Sequence, residues 1–181
     1  MHKVVSWFLI AICLLIIPFA VYTMVLGSVS QLYAVQEKVL YNLPYPGILP
    51  DNPIYFIKIV RDRITEFATR EQLRKAQVYL LMSDKRVAMA QALVKKGKDQ
   101  LAIDTFTKAE KYFLKIPSLI TSSKKQGNSP TSGFIDTLKL SNAKHREIGQ
   151  SLLKDLPQGM NESVMQALNI TNQIRQQVEK L

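Results

Sequence analysis

Cysteine is nearly missing from this 181-residue chain. The single thiol, Cys13, lies inside an apolar run, so the remainder can form no disulfide and offers no thiolate set for a metal. Histidine is just as scarce: His2 and His145 are far apart in the sequence, and no His-Glu-x-x-His pair or Cys/His spacing that would hold zinc occurs. The seven glycines are scattered, which excludes a phosphate-cradling glycine loop, and no nucleophile motif is present. Beyond the N-terminal apolar run no bounded stretch alternates β-branched and aromatic residues, so no strand is expected. Acid is in deficit, with 14 Asp and Glu against 24 Lys and Arg for a formal charge of +10. These absences exclude the familiar catalytic and cofactor constellations. The chain is expected to be no enzyme and to hold neither cofactor nor metal.

What is present begins with Val4–Leu26, an uncharged run of 23 residues. At about 1.5 Å per helical residue it is long enough for the roughly 30 Å hydrocarbon core of a bilayer. Trp7 and Tyr22 stand near its two ends, where amphipathic rings favour the interface. Residues 1–27 therefore read as a transmembrane anchor. Lys3 and the amino terminus are the only charges on the near flank, which places the N-terminus in the cytoplasm and the rest outside. A cleavable signal is the competing reading, because Ser28-Val29-Ser30 has the small residues that a signal peptidase uses, and the chain would then be secreted after cleavage near Ser30. Residues 28–52 follow as a juxtamembrane segment and a Pro-rich spacer. Pro44, Pro46, Pro50 and Pro53 remove backbone donors and push the residues before them towards extended conformations.

At the end of the spacer Asp51 or Asn52 can cap a helix whose first position suits Pro53. The block Ile54 to Ile57 is apolar, and such a segment is either buried or laid against a membrane. Pro46, Gly47, Pro50, Asp51, Pro53, Tyr55, Phe56 and Lys58 form a Pro-Gly-x-Leu-Pro-Asp-x-Pro-x-Tyr-Phe-x-Lys motif. Further on come Arg61-Asp62-Arg63-Ile64, Ala76, Ser83-Asp84-Lys85-Arg86, Lys96-Gly97-Lys98 and Lys108-x-Glu110-x-Tyr112-Phe113. Over residues 43–113 this pattern resembles a bacterial domain-of-unknown-function family. The resemblance implies a membrane-anchored or secreted helical protein with this Pro-rich lead-in, and it brings no activity or catalytic residue.

Residues 53–181 have helical periodicity and are expected to form an all-α bundle of about five helices. The first, Pro53 to about Ala68, carries Phe56, Val60, Ile64 and Phe67 on one stripe. Thr69 and Gln72 have capping-box spacing and open a second helix from about Arg70 to Lys96, with Gly97 to end it. Its core face is Leu73, Ala76, Leu80, Val87, Ala90 and Val94, flanked by Tyr79, Met82, Met89 and Leu93. The third, from about Lys98 to Ile116, repeats Ala102, Phe106, Ala109, Phe113 and Ile116 as a packing seam. Helices two and three have the spacing of one tetratricopeptide-like hairpin, but the pattern does not recur at about 34 residues as an array requires. Pro117 kinks or ends the third helix. Residues 122–133 read as a mobile loop. A fourth helix, about Ser132 to Leu156, offers Phe134, Leu138, Ile148 and Leu152 to the core, and a fifth uses Val164, Leu168, Ile174, Val178 and Leu181.

Two basic clusters, Lys95-Lys96-Gly97-Lys98 and Lys124-Lys125, fall at expected loops. Lys95, Lys96, Lys98, Lys124 and Lys125 are the candidate interaction residues; without interleaved aromatics they do not support specific nucleic-acid binding. All acidic residues, and every basic one but Lys3, lie beyond the apolar run, leaving that part at a formal +9 that attracts anionic lipid or acidic surface polymer. His145 shares a stripe with Leu138, Ile148 and Leu152 and is expected to be a boundary or satisfied core histidine; most of the acidic residues, beside Lys or Arg, are expected on solvated faces. The functional expectation is a non-enzymatic, membrane-anchored envelope protein with an extracytoplasmic interaction module contacting lipid, a surface polymer or an envelope protein. The alternative is a peptide-binding adaptor built on the hairpin.

Overall fold

A computed structural model describes residues 38–181; the expected transmembrane anchor, the start of the juxtamembrane segment and the Ser30 cleavage site lie outside the described residues. Among the described residues the structure is all-α, with six helices and no strand. These are α1 (Tyr55–Ala68), α2 (Gln72–Val94), α3 (Asp99–Phe113), α4 (Ile116–Lys125), α5 (Ser132–Asp155) and α6 (Asn161–Val178), with a single 3-10 turn, Gln158–Met160, before α6. No helix among them is long and apolar enough to cross a membrane.

Residues 38–54 hold no regular element, as the prolines require, and α1 begins two residues later than expected, at Tyr55. Asn52 caps a preceding turn: its Oδ1 accepts from the Ile54 amide at 3.0 Å, while Asp51 reaches Lys96. The expected capping box at Thr69 does not form. Thr69 Oγ1 donates back to the Thr65 carbonyl at 2.8 Å, and Glu71 stands at the α2 N-cap without a side-chain cap bond. Gly97 does end α2. With φ at +67°, its amide bonds to Val94 and that of Lys98 to Leu93, the paired bonds of a Schellman turn.

The third and fourth elements also depart from expectation. The third helix ends at Phe113, and Pro117 sits in the first turn of a separate helix, α4, where its missing amide costs nothing. Ser122, Ser123, Lys124 and Lys125 are helical, so the connection to α5 spans only residues 126–131. Thr131 then caps α5 by accepting from the Phe134 amide.

The seam residues Ala102, Phe106, Ala109, Phe113 and Ile116 are fully buried. Two apolar clusters use both halves of the domain. One joins Val87 and Ala90 of α2 to Phe106 of α3, Ile148 and Leu152 of α5 and Val164 and Leu168 of α6. The other joins Ala76, Tyr79 and Leu80 to Phe113, Ile120, Leu138, Ile174 and Val178. α5 therefore closes over the α2–α3 hairpin, and Gly149 makes the contact possible: a Cβ there would lie 2.5 Å from Leu168 Cδ2 and 2.9 Å from Phe106 Cζ.

Candidate interaction face and the network beneath it

Of the two placements that the sequence allows for the apolar face of α1, buried or laid against a membrane, the bundle does not provide the first. The stripe Phe56, Val60, Ile64 and Phe67 faces solvent, with Phe67 84 % and Ile64 63 % exposed, while Lys58 and Asp62 are the buried residues of the helix. The reason lies in what the bundle offers to this side. Lys58 Nζ donates to the Pro46 carbonyl at 2.7 Å and touches Met89 Sδ at 3.8 Å. Asp62 accepts from Arg61 at 2.8 Å and from Arg86 at 3.2 Å, and Arg86 lies over the Tyr112 ring at 4.3 Å. One turn on, Tyr79 donates to Glu66 at 2.6 Å, and Lys115 lies 3.7 Å from the same carboxylate. Burying an ammonium and a carboxylate costs several kcal/mol each unless partners are at hand, and here α2 and the lead-in supply them. The apolar stripe is left without a neighbour.

Projected at about 100° per residue, Phe56, Ile57, Val60, Ile64 and Phe67 fall within a sector about 100° wide, with Arg63 at one edge and Arg61 at the other. Ile54 and Ile59 extend it, each about half exposed. A monomer in water rarely leaves so many large apolar side chains contiguous and uncovered.

The Pro-rich motif positions this helix. Pro46 and Lys58 tie the lead-in to α1, Gly47 turns the chain at φ +70°, and Asp51 pairs with Lys96 at 3.0 Å. Tyr55 is half-buried beside Lys58, whereas Pro53 and Phe56 are exposed. Of the five candidate lysines, Lys95, Lys96 and Lys98 share the exposed α2–α3 turn; Lys124 and Lys125 end α4, where cations suit the helix dipole, and Lys124 donates to the Leu181 carbonyl. Among the described residues no hydrogen bond or ion pair joins the two clusters.

His145 is a satisfied core histidine, and its partners are exceptions to the expectation that most of the acids sit on solvated faces. His145, Glu110 and Asp84 are all buried, His145 and Glu110 completely. Nδ1 meets Glu110 Oε1 at 2.7 Å and Nε2 meets Asp84 Oδ1 at 3.0 Å. Ser141 and Tyr41 each donate to Asp84 at 2.6 Å, and Thr171 donates to Glu110 at 2.8 Å. Burial alone would depress the imidazole; the Glu110 charge and the hydrogen bonds to Asp84 and Glu110 outweigh it and push its pKa up to about 9. Both ring nitrogens then donate, and every carboxylate oxygen is matched. Burial and the bond to Asp84 likewise raise the Tyr41 phenol. The hub links the lead-in, α2, α3, α5 and α6. No solvent reaches its imidazole, so what it does in this conformation is hold a proton and join helices.

The signal for this hub was in the spacing. Asp84 falls between Leu80 and Val87, and Glu110 between Phe106 and Phe113, each four residues after one core residue and three before the next. Those are core positions, and their charged neighbours Lys85, Arg86 and Lys111 masked them.

Among the described residues no group of three or more His, Cys, Asp or Glu is arranged to hold a metal ion. A family model described as "Domain of unknown function (DUF5667)" matches residues 47–181. The chain belongs to this family. The DUF5667 match starts at Gly47, inside the Pro-rich motif, and runs through all six helices, well past the 43–113 stretch that carries the sequence resemblance. No curated protein and no solved structure matches the chain.

Proposed function

We propose that this DUF5667 protein is a non-enzymatic, membrane-anchored module whose first helix lies in the lipid–water interface. Residues 4–26 cross the bilayer, and the bundle stands on the outer side with the apolar stripe of α1 in the headgroup region. One observation carries the reading: the outward stripe of Phe56, Ile57, Val60, Ile64 and Phe67, edged by Arg61 and Arg63. That is the form of an interfacial helix, in which apolar residues enter the acyl boundary and arginines reach to anionic headgroups. Tether length agrees. Val39 is fixed to α5, its amide donating to Glu147 at 2.8 Å, and the thirteen residues from Leu26 span at most about 45 Å. The bundle is thereby kept where even weak interfacial affinity suffices. A peptide-binding hairpin has less support, since Phe106 is fully buried against α5 and α6.

The test uses the full chain in proteoliposomes with Cys13→Ser and single nitroxides at Val60→Cys, Ile64→Cys or Phe67→Cys, with exposed Lys154→Cys as the aqueous reference. Oxygen is expected to relax the three α1 labels more strongly than a water-soluble nickel chelate does, and the order to reverse at position 154. Nickel relaxation of the α1 labels equal to the reference would refute the interfacial placement. Spin–spin broadening between copies, with low relaxation by both agents, would assign the stripe to a second copy instead.

A further inference from the structure

Beneath α1 the charges do not balance. Two adjoining clefts, of about 180 and 300 Å³, share Lys58, Arg61 and Lys85 in their walls; Arg86 and Asp62 line the first. Four cations thus face a single carboxylate, and both its oxygens are already engaged, by Arg61 and Arg86. Lys58 is buried on neutral acceptors only, the Pro46 carbonyl and Met89 Sδ. Lys85 is half-buried and, among the described residues, makes no hydrogen bond or ion pair. Burial, assisted by the charges of Lys85, Arg61 and Arg86, pulls the Lys58 ammonium down to about 8 despite Asp62. A protein gains nothing in stability from gathering like charges in this way.

The walls and rims are of a second kind. Tyr45, Ile48 and Ile57 border the larger cleft, and Val78, Leu81 and Met82 the smaller, with Tyr45, Ile57 and Leu81 strongly exposed. At roughly 30 Å³ per water in the liquid, even the smaller cleft has room for a phosphate group. Cationic walls with an apolar rim, continuous with the stripe of α1, match an amphiphile with an anionic head.

We infer that the clefts between α1, α2 and the Pro-rich lead-in bind the phosphate headgroup of an anionic lipid, with Lys58, Arg61 and Lys85 as its donors and its acyl chains leaving past Ile57 and Leu81. The site rests on the interfacial placement of α1. It adds a choice among lipids, which the apolar stripe alone cannot make. Lys85 and Arg61 carry that choice, because neither is needed to seat Asp62 once Arg86 remains.

The experiment is native mass spectrometry of the full chain in detergent micelles, titrated with dioctanoyl phosphatidylglycerol, dioctanoyl phosphatidylcholine or inorganic phosphate. One phosphatidylglycerol is expected to be retained at least ten-fold more strongly than phosphatidylcholine. Lys85→Gln with Arg61→Gln is expected to abolish that preference while leaving the circular dichroism spectrum unchanged, and Lys85→Arg to keep it. Equal retention of the two lipids by the wild type, or an undiminished preference in the double variant, overturns the site. Displacement of phosphatidylglycerol by equimolar inorganic phosphate overturns the lipid assignment in favour of a free anion. Retained preference in micelles together with water-exposed α1 labels in proteoliposomes would sink the interfacial placement and leave the headgroup site standing, so the two failures are separable.

Discussion

Replacing Glu110 by Gln tests the buried hub through its pH dependence. In the wild type the folded-state pKa of His145 is raised from 6.5 to about 9. A raised pKa means that the native state holds a proton which the unfolded chain releases near 6.5, so this stability is fully present below that pH and is lost as pH climbs through the folded value. Lys58 works in the opposite sense: its ammonium is lowered from 10.5 to about 8, so stability is regained between those two values. From pH 6 to 8 the histidine therefore dominates: linkage gives a loss of about 2 kcal/mol, of which Lys58, half deprotonated by pH 8, returns only about 0.4 kcal/mol. For an m value of about 1–3 kcal/mol per molar urea, the unfolding midpoint falls by about 1 M. The neutral amide that takes the place of the carboxylate can still bond to Thr171 and to the ring, but the substitution removes the largest of the effects that hold the proton on His145. The slope should then shrink by half or more, with an overall loss of a few kcal/mol at pH 6. Urea titrations of the full chain in mild detergent, followed by far-ultraviolet circular dichroism at pH 6, 7 and 8, measure both. A flat wild-type profile, or a Glu110→Gln profile as steep as wild type, would refute the reasoning.

Gly149→Ala should destabilise by about 1–3 kcal/mol in the same titration, because the new methyl meets Leu168 at 2.5 Å, whereas Gly159→Ala, with nothing within 4 Å, should change little. Asp62→Asn leaves Lys58, Arg61, Lys85 and Arg86 without a counter-charge, and amide exchange in α1 should accelerate at least ten-fold while that in α3 stays put. Tyr79→Phe removes the 2.6 Å bond to Glu66 and should cost about 1 kcal/mol. Thr131→Ala, at the α5 N-cap, should cost about the same, read as a shift of the urea midpoint.

Much of the architecture was legible because it depends on the period of apolar residues. The seam Ala102, Phe106, Ala109, Phe113 and Ile116 and the α2 face from Ala76 to Ala90 are buried as their spacing predicts. What periodicity could not say is which surface each stripe meets. α4 was hidden because Pro117 reads as a stop when it follows a helix and as a start when a helix follows it. Asp84 and Glu110 stand at core spacing, but the partners that let a charge be buried there lie 35 to 61 residues away in sequence, which one chain read locally does not reveal.

α1 shows the same limit from the other side. The rule that an amphipathic helix turns its apolar stripe to the core assumes that the choice lies between core and water. Here Arg86, Lys115, Tyr79 and the Pro46 carbonyl present a polar seat that fits Lys58, Asp62 and Glu66, and turning the helix over would strand all of these groups at once. The large apolar residues of the stripe, left in water, cost on the order of 1.5–3 kcal/mol each relative to burial. A helix held this way in water alone would be a poor solution. Against a bilayer the same orientation satisfies both faces, and on that ground α1, rather than the two exposed lysine clusters, is where binding is to be sought.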